Sequence, residues 1–129
     1  MESRPVVVDS SVFVALYCES DSQHAQAVSA MNDLKDAAIV VHPYVVQETA
    51  TVLAYRFGAK LAKIFVADIK NAPNIHIPTV DLKRDIDHFT LQKKKMSFTD
   101  SALIGLAQSM NAILLTFDRQ MLSSLKKRK

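Results

Sequence analysis

Apolar residues along this chain change their spacing from segment to segment, and the changes mark alternating strands and helices. Val6-Val7-Val8, Ala38 to Val41 and Ala112 to Leu115 are short runs, apolar at every position, as in strands buried on both faces. Ile75 to Ile77, held between Pro73 and Pro78, predicts one more short strand. Between these runs the apolar positions take helical spacing. Ser10 or Ser11 is the expected cap of a helix starting near Val12. Ser20-Asp21-Ser22 caps a second, with Ala25, Val28, Met31 and Leu34 on one face. Pro43 suits the first turn of a helix carrying Tyr44 to Phe57 and stopping at Gly58. Another helix runs from Ala59 to about Lys70. Asp81 to about Gln92 reads as a charged surface helix, with Asp81/Arg84 and Lys83/Asp87 spaced for pairing. Ser97 or Thr99 caps a helix over Asp100 to Met110, and a last helix from Asp118 to Leu125 runs into a basic tail at 126–129. The alternation predicts one domain over residues 1–129. Its fold class is a three-layer α/β/α arrangement around a mainly parallel central sheet of four or five strands.

Composition narrows this little. A hydrophobic fraction of 49% over 129 residues suffices for a core without disulfides or structural metal. The single Cys18 excludes an internal disulfide and a cysteine-rich zinc site and agrees with a reducing, cytoplasmic setting. No apolar run reaches the roughly 18 residues of a membrane span, and Met1 to Pro5 lacks the layout of a signal peptide. Charge is more informative in its distribution than in its sum of +3. Seven of the sixteen basic residues lie in Lys93-Lys94-Lys95 and Lys126-Lys127-Arg128-Lys129, blocks suited to a phosphate backbone or, more blandly, a solvated loop and a frayed tail.

Four acids stand in apolar surroundings: Asp9 after Val6-Val7-Val8, Glu48 inside a helix, Asp100 in a first helical turn, and Asp118 just beyond Ile113-Leu114-Leu115. None has a basic residue three or four positions away, so no local helical ion pair accounts for it. Each has an ordinary alternative, a helix cap for Asp9 and Asp118 and a dipole-favoured helix start for Asp100. Glu48, flanked on its face by Tyr44, Val45, Thr51 and Val52, has none that compensates its charge. In open α/β sheets ligands gather at the carboxyl ends of the strands, where Asp9 and Asp118 fall. Carboxylates brought about 4 Å apart repel by about 4 kcal/mol at an effective dielectric of 20, so a shared site calls for a divalent cation. Hard oxygen donors favour magnesium or manganese, and His24, His42, His76 and His88 are too scattered to suggest zinc.

Four segments carry a family resemblance: Val6 to Val12, Val46 to Ala50, Ser97 to Leu103 and Leu115 to Asp118. In order and spacing they resemble the signature blocks of PIN-domain ribonucleases, and most of all the small VapC-type toxins of toxin-antitoxin pairs. The resemblance implies an endoribonuclease dependent on Mg2+ or Mn2+, with Asp9 and Asp100 as principal metal ligands and catalytic acids. Glu48 and Asp118 would complete the set, with Ser11 and Thr116 supporting it, or serving only as caps and strand-end hydroxyls. Lys93, Lys94 and Lys95 would meet RNA. A cognate antitoxin and a homodimer, formed through the region of Tyr44, Tyr55, Phe57, Ile64 and Phe65, are the partners such relatives imply. The sequence departs from many relatives after Leu122, where little chain is left for a fifth strand.

Other classes stay open at this point. A phosphoacceptor receiver domain has similar length but needs an acidic pair before its first strand and a lysine after a late one, and that set is absent. A catalytically inactive RNA- or protein-binding module of the same fold, or an RNA-processing nuclease without an antitoxin, would share the pattern.

Overall fold

The computed structural model of the protein describes residues 4–126, the side chain of Lys126 excepted. Strand β1 (Val6–Val8) leads into α1 (Ser10–Tyr17) and α2 (His24–Asp33), and β2 (Ile39–Val40) into α3 (Pro43–Phe57) and α4 (Ala59–Asn71). Strand β3 (Ile75–His76) precedes α5 (Leu82–Thr90) and α6 (Phe98–Met110), and β4 (Ile113–Leu115) precedes α7 (Arg119–Lys126). Among the described residues the sheet has four strands in the order β3-β2-β1-β4, all pairings parallel. The predicted α/β class and parallel sheet are therefore observed.

The apolar runs owe their composition to this arrangement. Val6, Val7 and Val8 are all buried because β1 is central and both its faces are covered. The chain moves outward from β1 to β2 to β3, then returns across the sheet to place β4 on the other side of β1. With right-handed crossovers, that reversal puts the helices after β1 and β2 on one face and those before β4 on the other. In keeping with this, α1 packs on α3 and α3 along α4, while α5 packs on α6. The reversal leaves a crevice at the carboxyl ends of β1 and β4, the place where open α/β sheets bind ligands.

Local signals set the helix ends. Gly58, at φ 100°, turns α3 into α4, and Asn111 closes α6 in the left-handed region at φ 52°. Ser97 caps α6 by accepting from the Asp100 N–H. Three expectations fail. Helix α1 begins at Ser10, so neither Ser10 nor Ser11 caps it, because their hydroxyls are taken up by carboxylates. Helix α5 is no ordinary charged surface helix. It buries Asp85 and leaves Leu82, Ile86 and Phe89 exposed, and the Asp81 carboxylate accepts from the Arg84 backbone N–H as a cap. Phe65, expected among the surface aromatics, is instead fully buried between Phe13 and Tyr17, with ring centroids 5.4 Å from each. Tyr55, Phe57 and Ile64 do stay exposed. None of the described helices is long and apolar enough to cross a membrane.

Candidate active site

The site begins just past the end of a buried strand. Asp9 follows β1, its N–H donating to the Leu115 carbonyl at 3.0 Å, and occupies the cap position of α1 without making a side-chain cap bond. Its side chain turns into the protein and is 3% exposed. Oδ2 accepts two hydroxyl protons, from Ser11 and from Thr116, each at 2.8 Å. The direction of both bonds is fixed by the backbone. The Phe117 N–H donates to Ser11 Oγ at 3.3 Å and the Asp118 N–H to Thr116 Oγ1 at 3.0 Å. An N–H can only donate, so each hydroxyl accepts there and has its proton free for Asp9. Oδ1 of Asp9 is buried and has no hydrogen-bond partner. A buried carboxylate oxygen left unpaired is costly, and the site is built to hold it that way.

The other acids arrive on three different elements. Glu48 projects from α3 beside the core positions Val45 and Thr49, and Ser10 Oγ donates to its Oε1 across the α1–α3 contact. The sequence singles out Ser10 only as a helix cap, and helix packing pairs it with Glu48. Asp100 lies in the first turn of α6, half-buried. Asp118 accepts from the Gln120 and Met121 N–H groups, so its role as cap of α7 is real. It is not its only role. Burial first, and then the charges of Asp9, Asp118 and Glu48, push the Asp100 carboxyl up to about 6, against the lowering effect of its hydrogen bond with Ser97. Asp100 thus feels the charges of the other three acids.

Convergence stops short of a closed cage. Among the described residues no three His, Cys, Asp or Glu side chains form a ready-made metal ligand set. An open arrangement nevertheless suits magnesium, which keeps several waters and is held by one or two carboxylates together with substrate phosphate. The donor set fits such an ion: hard oxygens only, one of them buried and unpartnered. The histidines take other parts. His24 bonds the Ala15 carbonyl, His88 bonds Ser101 Oγ, His76 lies exposed on β3, and His42 caps α3.

The PIN domain profile matches residues 6–127, nearly the whole chain. This chain belongs to the PIN-domain family. The crystal structure of VapC20 from Mycobacterium tuberculosis, a sarcin-ricin loop cleaving toxin, superposes with a TM-score of 0.80 at 22% identity, covering 92% of this chain and 94% of that one. A domain of a functionally unknown protein from Methanocaldococcus jannaschii superposes with a TM-score of 0.57 at 21% identity, over 96% of this PIN domain and 85% of the other chain. Among curated proteins no sequence matches. The family assignment gives the crevice its meaning, since Asp9, Glu48, Asp100 and Asp118 all lie in the four segments that resemble the PIN signature blocks.

The three lysines lie in the loop between α5 and α6. Lys93 and Lys95 are exposed in the loop before α6, whereas Lys94 is half-buried with Nζ 3.3 Å from Ser123 Oγ. The Lys95 carbonyl accepts from the Gln120 side chain at 3.1 Å, tying the loop to α7. Of the second basic block, Lys127, Arg128 and Lys129 lie outside the described residues, as does the side chain of Lys126.

Proposed function

We propose that this protein is an endoribonuclease dependent on Mg2+ or Mn2+, acting as the toxin of a VapC-type toxin-antitoxin pair. The observation that carries the reading is Asp9, buried, oriented by two hydroxyls and with one oxygen unpaired, whose charge, with those of Asp118 and Glu48, bears on Asp100. Asp9 and Asp100 are the residues that would hold the ion, with Glu48 and Asp118 completing the acidic shell. When bound, a divalent ion lowers the pKa of a water, polarises the phosphoryl oxygens and balances charge on the leaving oxygen. The protein's own part is positional. Ser11 and Thr116 fix Asp9 in one orientation, Ser10 restrains Glu48, and the Asp118 cap bonds hold its carboxylate at the mouth of the crevice. Lys93 and Lys95, with Lys94, would attract the phosphate backbone.

RNA is favoured as substrate by the activity of VapC20, whose fold this chain shares. The setting we propose is the cytoplasm, with an antitoxin as partner and a homodimer as the assembled form. Support for the dimer comes from the apolar surface of α3 and α4, where Tyr55, Phe57, Ile64 and Val66 are exposed beside a groove of about 500 Å³. The test is cleavage of labelled RNA by purified protein. Activity is expected with Mg2+ or Mn2+ and is abolished by chelator. Cleavage that persists undiminished in Asp100→Asn protein would sink the proposal.

A further inference from the structure

A cleft of about 430 Å³ opens directly beside the acidic crevice, between α3 and the start of α6. Its walls are Tyr44, Gln47, Glu48, Thr51, Phe98 and Thr99. The volume lies within the roughly 300–1,000 Å³ of small-ligand pockets, and the lining joins aromatic faces to a few polar groups, as such pockets do. The aromatic wall is held in place before any ligand arrives. Phe98 sits 5.3 Å from Phe89 and 5.8 Å from Tyr44, centroid to centroid, and Tyr44 leans on His42 at 4.1 Å. An exposed amide, Gln47, and the hydroxyls of Thr51 and Thr99 supply both donors and acceptors at the cleft.

We infer that this cleft is a base-reading subsite, in which a nucleobase of single-stranded RNA next to the scissile phosphate stacks on Phe98 and is read by Gln47. The inference rests on the nuclease reading for its substrate. Two features choose a base over other parts of that substrate. Glu48 forms one wall, and its charge repels a phosphate but tolerates a neutral heterocycle. The same Glu48 belongs to the acidic shell, so a base lodged here belongs to a nucleotide adjoining the bond to be cut. Unstacked bases bind proteins on aromatic faces, with their edges read by side-chain hydrogen bonds, and a glutamine amide pairs well with a base edge. The aromatic wall gives affinity for any base, and the amide gives preference among bases.

The test is equilibrium binding of fluorescent uridine hexamers carrying A, C, G or U at one central position. It uses the Asp100→Asn protein, to avoid turnover, with and without Phe98→Leu or Gln47→Ala. Phe98→Leu should weaken all four hexamers by about fivefold to 150-fold, the range for losing one base stack. Gln47→Ala, at an exposed position that the fold does not need, should collapse the ranking among the four bases while leaving the weakest binder little changed. An unchanged ranking in Gln47→Ala, a uniform loss with the ranking intact, or no base preference in the parent each overturns the subsite, and a cleft that serves a protein segment instead would give the first of these. A base preference erased by Gln47→Ala, in a protein whose wild type cuts no RNA, would keep the subsite and refute the nuclease.

Discussion

Asp9 and Asp85 are equally withdrawn from solvent, 3% and 2% exposed, and each leaves one carboxylate oxygen without a hydrogen-bond partner. Their company is opposite. Around Asp85 stand His42, with Nε2 at 3.8 Å, Arg84, with Nε at 4.0 Å, and the Tyr44 hydroxyl, which burial and then the charges of Asp85 and Asp81 push up to about 12. His42 Nδ1 accepts from the Tyr44 N–H, which leaves the neutral ring's proton on Nε2, toward Asp85. Around Asp9 stand two hydroxyls, and its charge joins those of Asp118 and Glu48 in raising the Asp100 carboxyl. Burial and an unpaired oxygen therefore do not by themselves mark a site. The sign of the neighbouring charge separates them: Asp85 faces a histidine and an arginine and ties α5 to the start of α3, while Asp9 adds to the negative charge that raises the Asp100 carboxyl.

Turnover should separate the two regions most widely. Asp9→Asn or Asp100→Asn is expected to lower the rate of metal-dependent RNA cleavage by at least about a hundredfold, the scale of losing a key electrostatic group. Asp85→Ala, assayed well below its melting temperature, should keep most of the rate. A comparable loss in Asp85→Ala would erase the functional distinction between the two carboxylates.

Stability should divide them with opposite signs. In chelator, Asp9→Asn or Asp100→Asn should be as stable as wild type or more stable by about 1–2 kcal/mol, because it removes repulsion. Asp85→Ala removes the buried carboxylate that faces the His42 ring and Arg84 and should cost about 0.5–3 kcal/mol. Metal at 100 times its dissociation constant should then stabilise wild type and Asp85→Ala by about 2.7 kcal/mol each, and the Asn variants by much less. Thermal melts with chelator and with manganese read both effects. Asn variants that melt well below wild type in chelator would make Asp9 and Asp100 structural.

Acid should sharpen the contrast further. The Asp100 carboxyl is raised in the fold to about 6, so the metal-free native state takes up its proton before the unfolded chain does. Its contribution to stability therefore improves as pH falls through about 6 toward the unfolded value near 4. Burial lowers the His42 pKa, partly offset by Asp85 and reinforced by Arg84, so that group acts the other way. Its stabilisation is complete above the unfolded histidine value of about 6.5 and is lost as pH falls below it, since the protonated ring cannot accept the cap bond. Urea titrations of metal-free protein between about pH 7.5 and pH 4.5 should show Asp100→Asn losing the acid-side gain. His42→Asn, which can still cap α3, should lose the acid-side penalty. Identical profiles in the two variants would contradict this assignment.

The smallest effect lies in the basic loop. Replacing Lys93, Lys94 and Lys95 with Ala should flatten the dependence of log affinity on log salt by about 0.7 for each single-strand phosphate that a lysine no longer neutralises. The rate at saturating RNA should change little. An unaltered slope would return these lysines to a solvated loop.

Element types and their order were written locally. Uniformly apolar runs at Val6 to Val8 and Ile113 to Leu115 signal strands, although of the two only β1 is covered on both faces and Ile113 on the edge strand β4 is exposed, and Pro43 and Gly58 mark the first turn and the end of α3. The four acids were legible for the same reason, as charges in sequence that otherwise expects burial, and the family's motif blocks gave them a common purpose. What spacing along the chain does not encode is which side chains meet. Ser10 reaches Glu48, 38 positions away, and Thr116 reaches Asp9 across 107 positions, pairings that exist only because α1 packs on α3 and β4 lies beside β1. Asp85 shows the converse. Its basic neighbour Arg84 made it look like one more surface charge, yet its place against His42 buries it and turns the apolar side of α5 outward. Local pattern fixes what a segment becomes, because propensity and periodicity act within a few residues. Burial and charge company are decided by the packing of distant elements, and here that packing separates Asp85, set against His42 and Arg84, from the acids whose charges bear on Asp100.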